Sequence, residues 1–157
     1  MSLKSRLLED LTTAMKARDS RRVSVLRMVK AEILKKEVSL RADKGLDYEL
    51  DDAETLQVLS SYAKARRQSI EAYRQAGRAD LQAAEEAELA MLESYLPKQL
   101  SEEELADIVD AAISETGATE MHDMGAVMKV VMARAGARVD GKLASQIVRI
   151  RLLAADG

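Results

Sequence analysis

The stretch from Ala76 to Glu104 constrains the fold of this chain more than any other. It opens Ala76-Gly77-Arg78-Ala79-Asp80-Leu81 and runs on to Tyr95-Leu96-Pro97-Lys98-Gln99-Leu100-Ser101-Glu102-Glu103-Glu104. Gly77 is a natural left-handed stop for one helix, and Asp80 is a natural opening for the next. Pro97, the single proline in the sequence, cannot continue the helix before it. Ser101 with Glu104 then forms a capping box for a fresh helix. The tract therefore marks a joint. It predicts an N-terminal helical bundle over residues 1–96 and a C-terminal helical domain over residues 97–157.

Composition agrees with helices on both sides of the joint. The 157 residues include no Phe, Trp or Cys, and just seven glycines. Strands want more aromatic and β-branched residues than this, whereas Ala, Leu, Glu, Arg and Met favour helix. The fold class is all-α, with four helices before Pro97 and three after. Without cysteine there is no disulfide framework and no thiol chemistry, which fits the cytosol. The opening MSLKSRLLED turns charged at once, unlike a signal peptide. No apolar run approaches the roughly 18 residues of a membrane span, so a cytoplasmic protein without a membrane partner is expected.

Periodicity and caps place seven helices. The first spans about Leu3 to Lys16. The second is capped by Asp19 or Ser20 and runs to about Val38. Residues 40–51 are polar and read as a loop. Asp51 or Asp52 caps the third helix, which ends at Gly77. The fourth is opened by Asp80 and ends before Pro97. The fifth runs from the capping box to Gly117, the sixth from about Glu120 to Ala135, and the seventh from an Asp140 cap to Ala154.

Charge falls in blocks. The net formal charge is −3, but residues 1–44 carry a net +6, residues 45–97 a net −6, residues 98–128 a net −7 and residues 129–157 a net +4. Such blocks can raise a local positive face on an acidic protein, or simply join helices by salt bridges. Two charges fall inside apolar stripes. Arg66 interrupts Leu56, Leu59, Ala63, Ile70 and Tyr73 on the third helix, and Glu88 interrupts Leu81, Ala84, Leu92 and Tyr95 on the fourth. In a hairpin turning at Arg78 the two would stand at nearly the same height. Either is costly to bury alone, so an Arg66–Glu88 ion pair is expected, fixing helix register or belonging to a ligand site. Lys30 also lies near an apolar arc, from which its stem can snorkel outward.

Few residues suggest catalysis. His122 is the single histidine, and beside Asp123 it reads as a cap or surface residue. No zinc pattern, no Gly-x-Ser-x-Gly elbow and no phosphate-binding glycine loop is present. No metal, cofactor or catalytic residue is expected. Met121, Met124, Met128 and Met132 recur at helical spacing, which suits a core or an adaptable binding surface.

The strongest site candidate is Gly136-Ala137-Arg138-Val139-Asp140-Gly141-Lys142. A glycine-bearing loop meets a helix start there, where free N–H groups favour an anion. Arg138 and Lys142 add charge, and Lys142, Gln146 and Arg149 lie on one side of the helix with Arg134 in reach. Arg134, Arg138, Gly141, Lys142, Gln146 and Arg149 thus form a candidate phosphate-tracking surface. The competing reading makes Asp140 a plain cap and the cations solubilising groups.

Five tracts carry a family resemblance: LKSRLLEDLTTAMKARD, SVLRMVKAEI, RRQSIEAYRQAGRADL, EEAELAMLESYLPKQLSEEEL and DMGAVMKVVMARAGARVDGKLASQIV. Together they cover nearly the whole chain except the region near residues 40–50, and the chain resembles a stand-alone member of the GatB/YqeY family. The resemblance implies two helical subdomains and kinship with the GatB tail of the glutamine-dependent aspartyl/glutamyl-tRNA amidotransferase. That tail helps hold tRNA while the chemistry occurs elsewhere. A carbon–nitrogen ligase activity with glutamine as amido-N-donor would belong to the larger enzyme. The expected function is a non-catalytic tRNA-binding accessory protein. The lack of Phe and Trp argues against base stacking and for backbone recognition. The alternative is a protein-interaction module docking on an aminoacyl-tRNA synthetase or amidotransferase. For that role Val148 and Leu152, which lie away from the Leu143, Ile147 and Ile150 stripe, are candidate contacts.

Overall fold

The computed structural model describes residues 1–156, the side chains of Ala137 and Asp156 excepted. It is all-α, with no strand among the described residues. The helices are α1 (Leu3–Lys16), α2 (Ser20–Lys44), α3 (Asp52–Gln75), α4 (Ala79–Glu93), α5 (Glu102–Thr116), α6 (Met124–Ala135) and α7 (Gly141–Asp156). Short 3-10 turns occupy Met121–Asp123 and Gly136–Arg138. The chain separates into two compact units, Met1–Leu96 and Pro97–Gly157.

Side-chain caps set most helix starts. Ser2 accepts the Ser5 N–H, Asp19 that of Arg22, Asp51 that of Glu54 and Ser101 that of Glu104. Asp51 and Ser101 complete full capping boxes with Glu54 and Glu104, so two otherwise unsatisfied donors are met at each start. The fourth helix departs from the sequence expectation. It begins at Ala79, with Arg78 at the cap position and no side-chain cap bond. Asp80 instead sits in the first turn, where its charge suits the helix dipole, and Arg78 Nε lies 3.4 Å from it.

The expected loop at residues 40–51 is also shorter than its polarity suggested. α2 continues past Val38 to Lys44, because Leu40 still packs on the core, and it stops at Gly45 with φ +108°. The rest of the connection is fastened down. Leu50 is buried and Tyr48 packs against the same core. Behind them Glu37 is buried on α2, where its Oε1 accepts from Lys4 Nζ at 2.7 Å and from the Leu50 N–H at 3.1 Å.

The N-terminal unit is centred on Leu7 and Leu11 of α1, Val25, Leu26, Val29 and Ile33 of α2, Leu59 and Ala63 of α3, and Leu92 of α4. Burying each such leucine or valine is worth about 1.5–3 kcal/mol. Tyr95 closes the base of this core. Its hydroxyl donates to Asp10 at 2.5 Å, and the Arg6 guanidinium stands 5.0 Å above its ring. From Lys64 to Met91 no side chain is fully buried, and of these Leu89 and Met91 still pack half-buried against the core. The outer halves of α3 and α4 are therefore a two-helix arm.

The C-terminal unit packs Leu105, Val109 and Ala112 of α5 against Val127 and Val131 of α6 and Ala144, Val148 and Leu152 of α7. The four methionines flank this core half-buried. Here the expected orientation of α7 is reversed. Val148 and Leu152 are fully buried, whereas Leu143 and Ile150 are 37% and 64% exposed. The physical reason is size. α7 carries two apolar stripes, and the one bearing Ala144 and Val148 lets three short helices approach closely.

Candidate nucleic-acid interface

The turn into α7 is built on Gly136. Its φ of +54° and ψ of −130° lie in a region open essentially to glycine alone. The chain then passes through extended Val139 into α7. The Arg138 carbonyl is anchored by the Leu100 N–H at 2.8 Å. Asp140 occupies the helix start: its Oδ1 accepts the Lys142 N–H at 3.0 Å, and its carbonyl accepts the Ala144 N–H at 3.1 Å. The anion position expected there is thus partly filled by the protein's own carboxylate.

The six residues singled out from the sequence separate into two sets. Arg138 folds back on the end of α6, with Nη2 donating to the Arg134 carbonyl at 2.8 Å and Nε to the Ala135 carbonyl at 3.3 Å. It serves acceptors that the helix end leaves open. Arg134 is held by both carboxylate oxygens of Glu115, whose hydrogen bond and charge raise the guanidinium pKa above its usual value. Neither cation is free-standing. Gly141 has room for a side chain, since a Cβ there would meet nothing nearer than Met132 Cε at 3.9 Å.

Lys142, Gln146 and Arg149 form the second set. All three are exposed in one row along α7. Among the described residues neither cation makes an ion pair, whereas Arg151 on the next flank is paired with Asp110 at 3.3 Å. Leu153 continues the row and is 54% exposed, and Leu143 and Ile150 lie beside it. The outward face of α7 therefore mixes two cations with three large apolar side chains.

The other charged candidates meet in the arm of the N-terminal unit. Arg66 Nη1 lies 3.3 Å from Glu85 and 3.9 Å from Glu88, so Glu85 is its nearer partner. The guanidinium also stands 5.0 Å from the Tyr62 ring centroid. Burial and the neighbouring Glu85 charge raise the Glu88 pKa, against the opposing pull of Arg66 and Arg21. The side chains keep about a quarter of their surface, 26% for Arg66 and 28% for Glu88, so this is a half-buried cluster rather than a core pair. His122 is exposed, with Nδ1 2.9 Å from Glu120 and Nε2 3.3 Å from Asp123. Among the described residues no group of His, Asp and Glu could hold a metal ion.

Residues 4–152 match the family model described as Yqey-like protein. The chain belongs to the YqeY-like family. Its curated relatives include "Altered inheritance of mitochondria protein 41, mitochondrial" of Eremothecium gossypii, 34% identical over 72% of this chain and 60% of that protein. The chain thus spans less than two thirds of that relative's length. The protein of the same name from Pyrenophora tritici-repentis is 28% identical over 92% of this chain and 77% of its own length. An uncharacterized protein of Schizosaccharomyces pombe is 32% identical over 64% and 76%. Among the described residues of this YqeY-like chain, no helix is long and apolar enough to cross a membrane.

Two features of this YqeY-like chain escaped the sequence reading. Glu37, between Lys36 and Val38, was not singled out. The outward cations of α2 were hidden in a block charge, the net +6 of residues 1–44.

Proposed function

We propose that this protein is a non-catalytic accessory that holds folded RNA of the tRNA type by its backbone, with the outward face of α7 as the contact. The observation that carries this is the exposed row Lys142, Gln146 and Arg149, whose cations make no ion pair among the described residues. Phosphate contacts from such a row position an RNA without reading its bases, and the chain has no Phe or Trp for stacking. Kinship with the tail of the tRNA amidotransferase, and a cytoplasmic location, belong to this same proposal. The names of the two fungal relatives place those proteins in mitochondria.

Binding of purified tRNA by the full chain across a salt series tests the reading. Each phosphate contact on a duplex adds about −0.9 to the slope of log affinity against log salt. Lys142→Ala with Arg149→Ala should therefore flatten the slope by roughly two. A wild-type protein that binds no tRNA at low salt overturns the reading.

One observation favours a second reading. Leu143, Ile150 and Leu153 stay exposed beside the cations, as at a surface that docks on a synthetase or amidotransferase. In that case Ile150→Asp abolishes co-purification with the partner enzyme and leaves tRNA binding unchanged.

A further inference from the structure

A different surface, on the N-terminal unit, carries an inference that stands apart from the RNA reading. α2 is a 25-residue helix with its inward side in the core. Its outward strip is neither polar nor plainly amphipathic. Arg27 and Lys30 are exposed there, with Lys35 at the edge toward α3, and none makes an ion pair among the described residues, while Leu34 is 50% and Val38 53% exposed. The acids of α2 are buried, partnered or at its edges. Glu37 is buried against Lys4, Glu32 lines the groove shared with α3, and Asp43 is in the last turn. The strip thus has two cations, Arg27 and Lys30, without an ion pair among the described residues, two large apolar side chains, and Lys35 at the edge it shares with the Glu32 groove.

It also borders a socket. Between α1 and α2 lies a hollow of about 220 Å³ lined by Leu7, Leu8, Leu26, Ile33 and Leu34, with Lys30 and the mutually paired Lys4 and Glu37 also on its wall. A hollow of that size and lining takes one or two aliphatic side chains from outside.

We propose that this strip and socket dock an acidic amphipathic helix of a partner protein. The partner's aliphatic residues would enter the α1–α2 hollow, and its flanking carboxylates would meet Arg27, Lys30 and Lys35. Charge complementarity chooses the occupant. A two-fold pairing of this face with a second copy would bring two cationic strips together. RNA phosphate would satisfy the cations but leave Leu34 and Val38 facing water. A helix with an apolar seam and acidic flanks satisfies both, in the helix-in-groove manner.

The chain has no cysteine, so Ala42→Cys at the exposed end of the strip accepts a single solvent-sensitive fluorophore. The full-length labelled protein is titrated with a synthetic helix that carries leucines at every third and fourth position and glutamates on both flanks. A saturable blue shift is expected. Arg27→Glu with Lys30→Glu and Lys35→Glu should weaken it at least about tenfold. The same variant should regain binding to a peptide whose glutamates are replaced by lysines, a rescue that a merely structural effect would not give. The single Leu34→Asp variant should weaken binding of the glutamate peptide, and circular dichroism confirms the fold of each variant. The inference is overturned by the absence of a shift, by an equal shift with a scrambled peptide, by a shift with tRNA or phosphatidylglycerol vesicles in place of the peptide, or by self-association through this face in sedimentation. tRNA binding lost through Lys142 and Arg149 while the peptide shift persists would separate this surface from that of α7.

Discussion

Lys4 and Glu37 join the first helix to the second through a contact of 2.7 Å, and the same carboxylate oxygen holds the Leu50 N–H. One acid thereby fixes two helices and the α2–α3 connection. Burial pushes the Glu37 pKa up, but the Lys4 and Leu50 hydrogen bonds and the charges of Lys4 and Arg41 outweigh it, and the net pKa is lowered. Burial pulls Lys4 down, yet Glu37 and Glu49 raise its pKa overall.

The signs set a pH window. A lowered acid contributes stability that is present above its unfolded value, near 4.5, and lost as pH falls through its folded value. A raised lysine contributes stability that is present below 10.5 and lost as pH rises through its folded value. Lys4→Met should cost about 3 kcal/mol at pH 7, since it strands a buried carboxylate. Glu37→Gln should make that loss smaller and flatten the acid limb. Urea melts between pH 3 and pH 7 check both, and an unchanged acid limb in Glu37→Gln would refute the assignment.

The arm cluster predicts partial rescue. Arg66→Met removes the cation from two carboxylates and should cost roughly 1–3 kcal/mol. Adding Glu88→Leu should recover only part of this, because Glu85 keeps its charge 3.3 Å from the lost guanidinium. The raised Glu88 pKa means its ionisation subtracts stability as pH rises through the folded value. Glu88→Gln alone should therefore be neutral or stabilising at pH 7. Strictly additive losses in a double-mutant cycle would show that Arg66 and Glu88 are uncoupled.

The two glycines of the α6–α7 turn should behave oppositely. Gly136→Ala forces a side chain into a backbone region reserved for glycine and should cost roughly 1–3 kcal/mol. Gly141→Ala meets only ordinary contact at 3.9 Å and should be tolerated. Thermal melts of the two variants provide the comparison.

Arg138 and Lys142 should also separate. Arg138→Ala uncaps the end of α6 and should lower stability by about 1 kcal/mol. Lys142→Ala should leave the melting curve unchanged. Equal stability for both would mean that the Arg138 bonds to the Arg134 and Ala135 carbonyls contribute nothing in solution.

The two units should fold independently. Residues 1–96 produced alone should retain helical circular dichroism and a cooperative melt. Loss of the helical signal in this fragment would show that both units form one cooperative core.

Much of the fold was legible because helix ends are local chemistry. Ser101 with Glu104 declares its helix within four residues, and the Asp51-Asp52 pair marks the start of α3, where the structure chooses Asp51. The end of α2 was not legible, since Ser39 to Lys44 look polar and only the distant core explains why Leu40 continues the helix. The facing of α7 was hidden by two competing stripes. The larger side chains, Leu143 and Ile150, suggested the wrong one because close helix approach rewards small residues. At the candidate site, charge type and spacing were readable. Sequence could not reveal that Arg134 turns to Glu115 and Arg138 to the chain itself, leaving Lys142 and Arg149 to face outward.

The unburied stretch from Lys64 to Met91 has a consequence of its own. About 18 Å of α3, at 1.5 Å per residue, lies beyond its last core residue, Ala63. Local opening there exposes little carbon, so its amides should exchange with deuterium well before those of α2. Whole turns could be added to both helices together, beyond the Arg66 cluster, without disturbing Leu59, Ala63 or Leu92. Length in the arm is thus free to drift, and its tip at Gly77 is the natural position to carry an inserted tag or reporter.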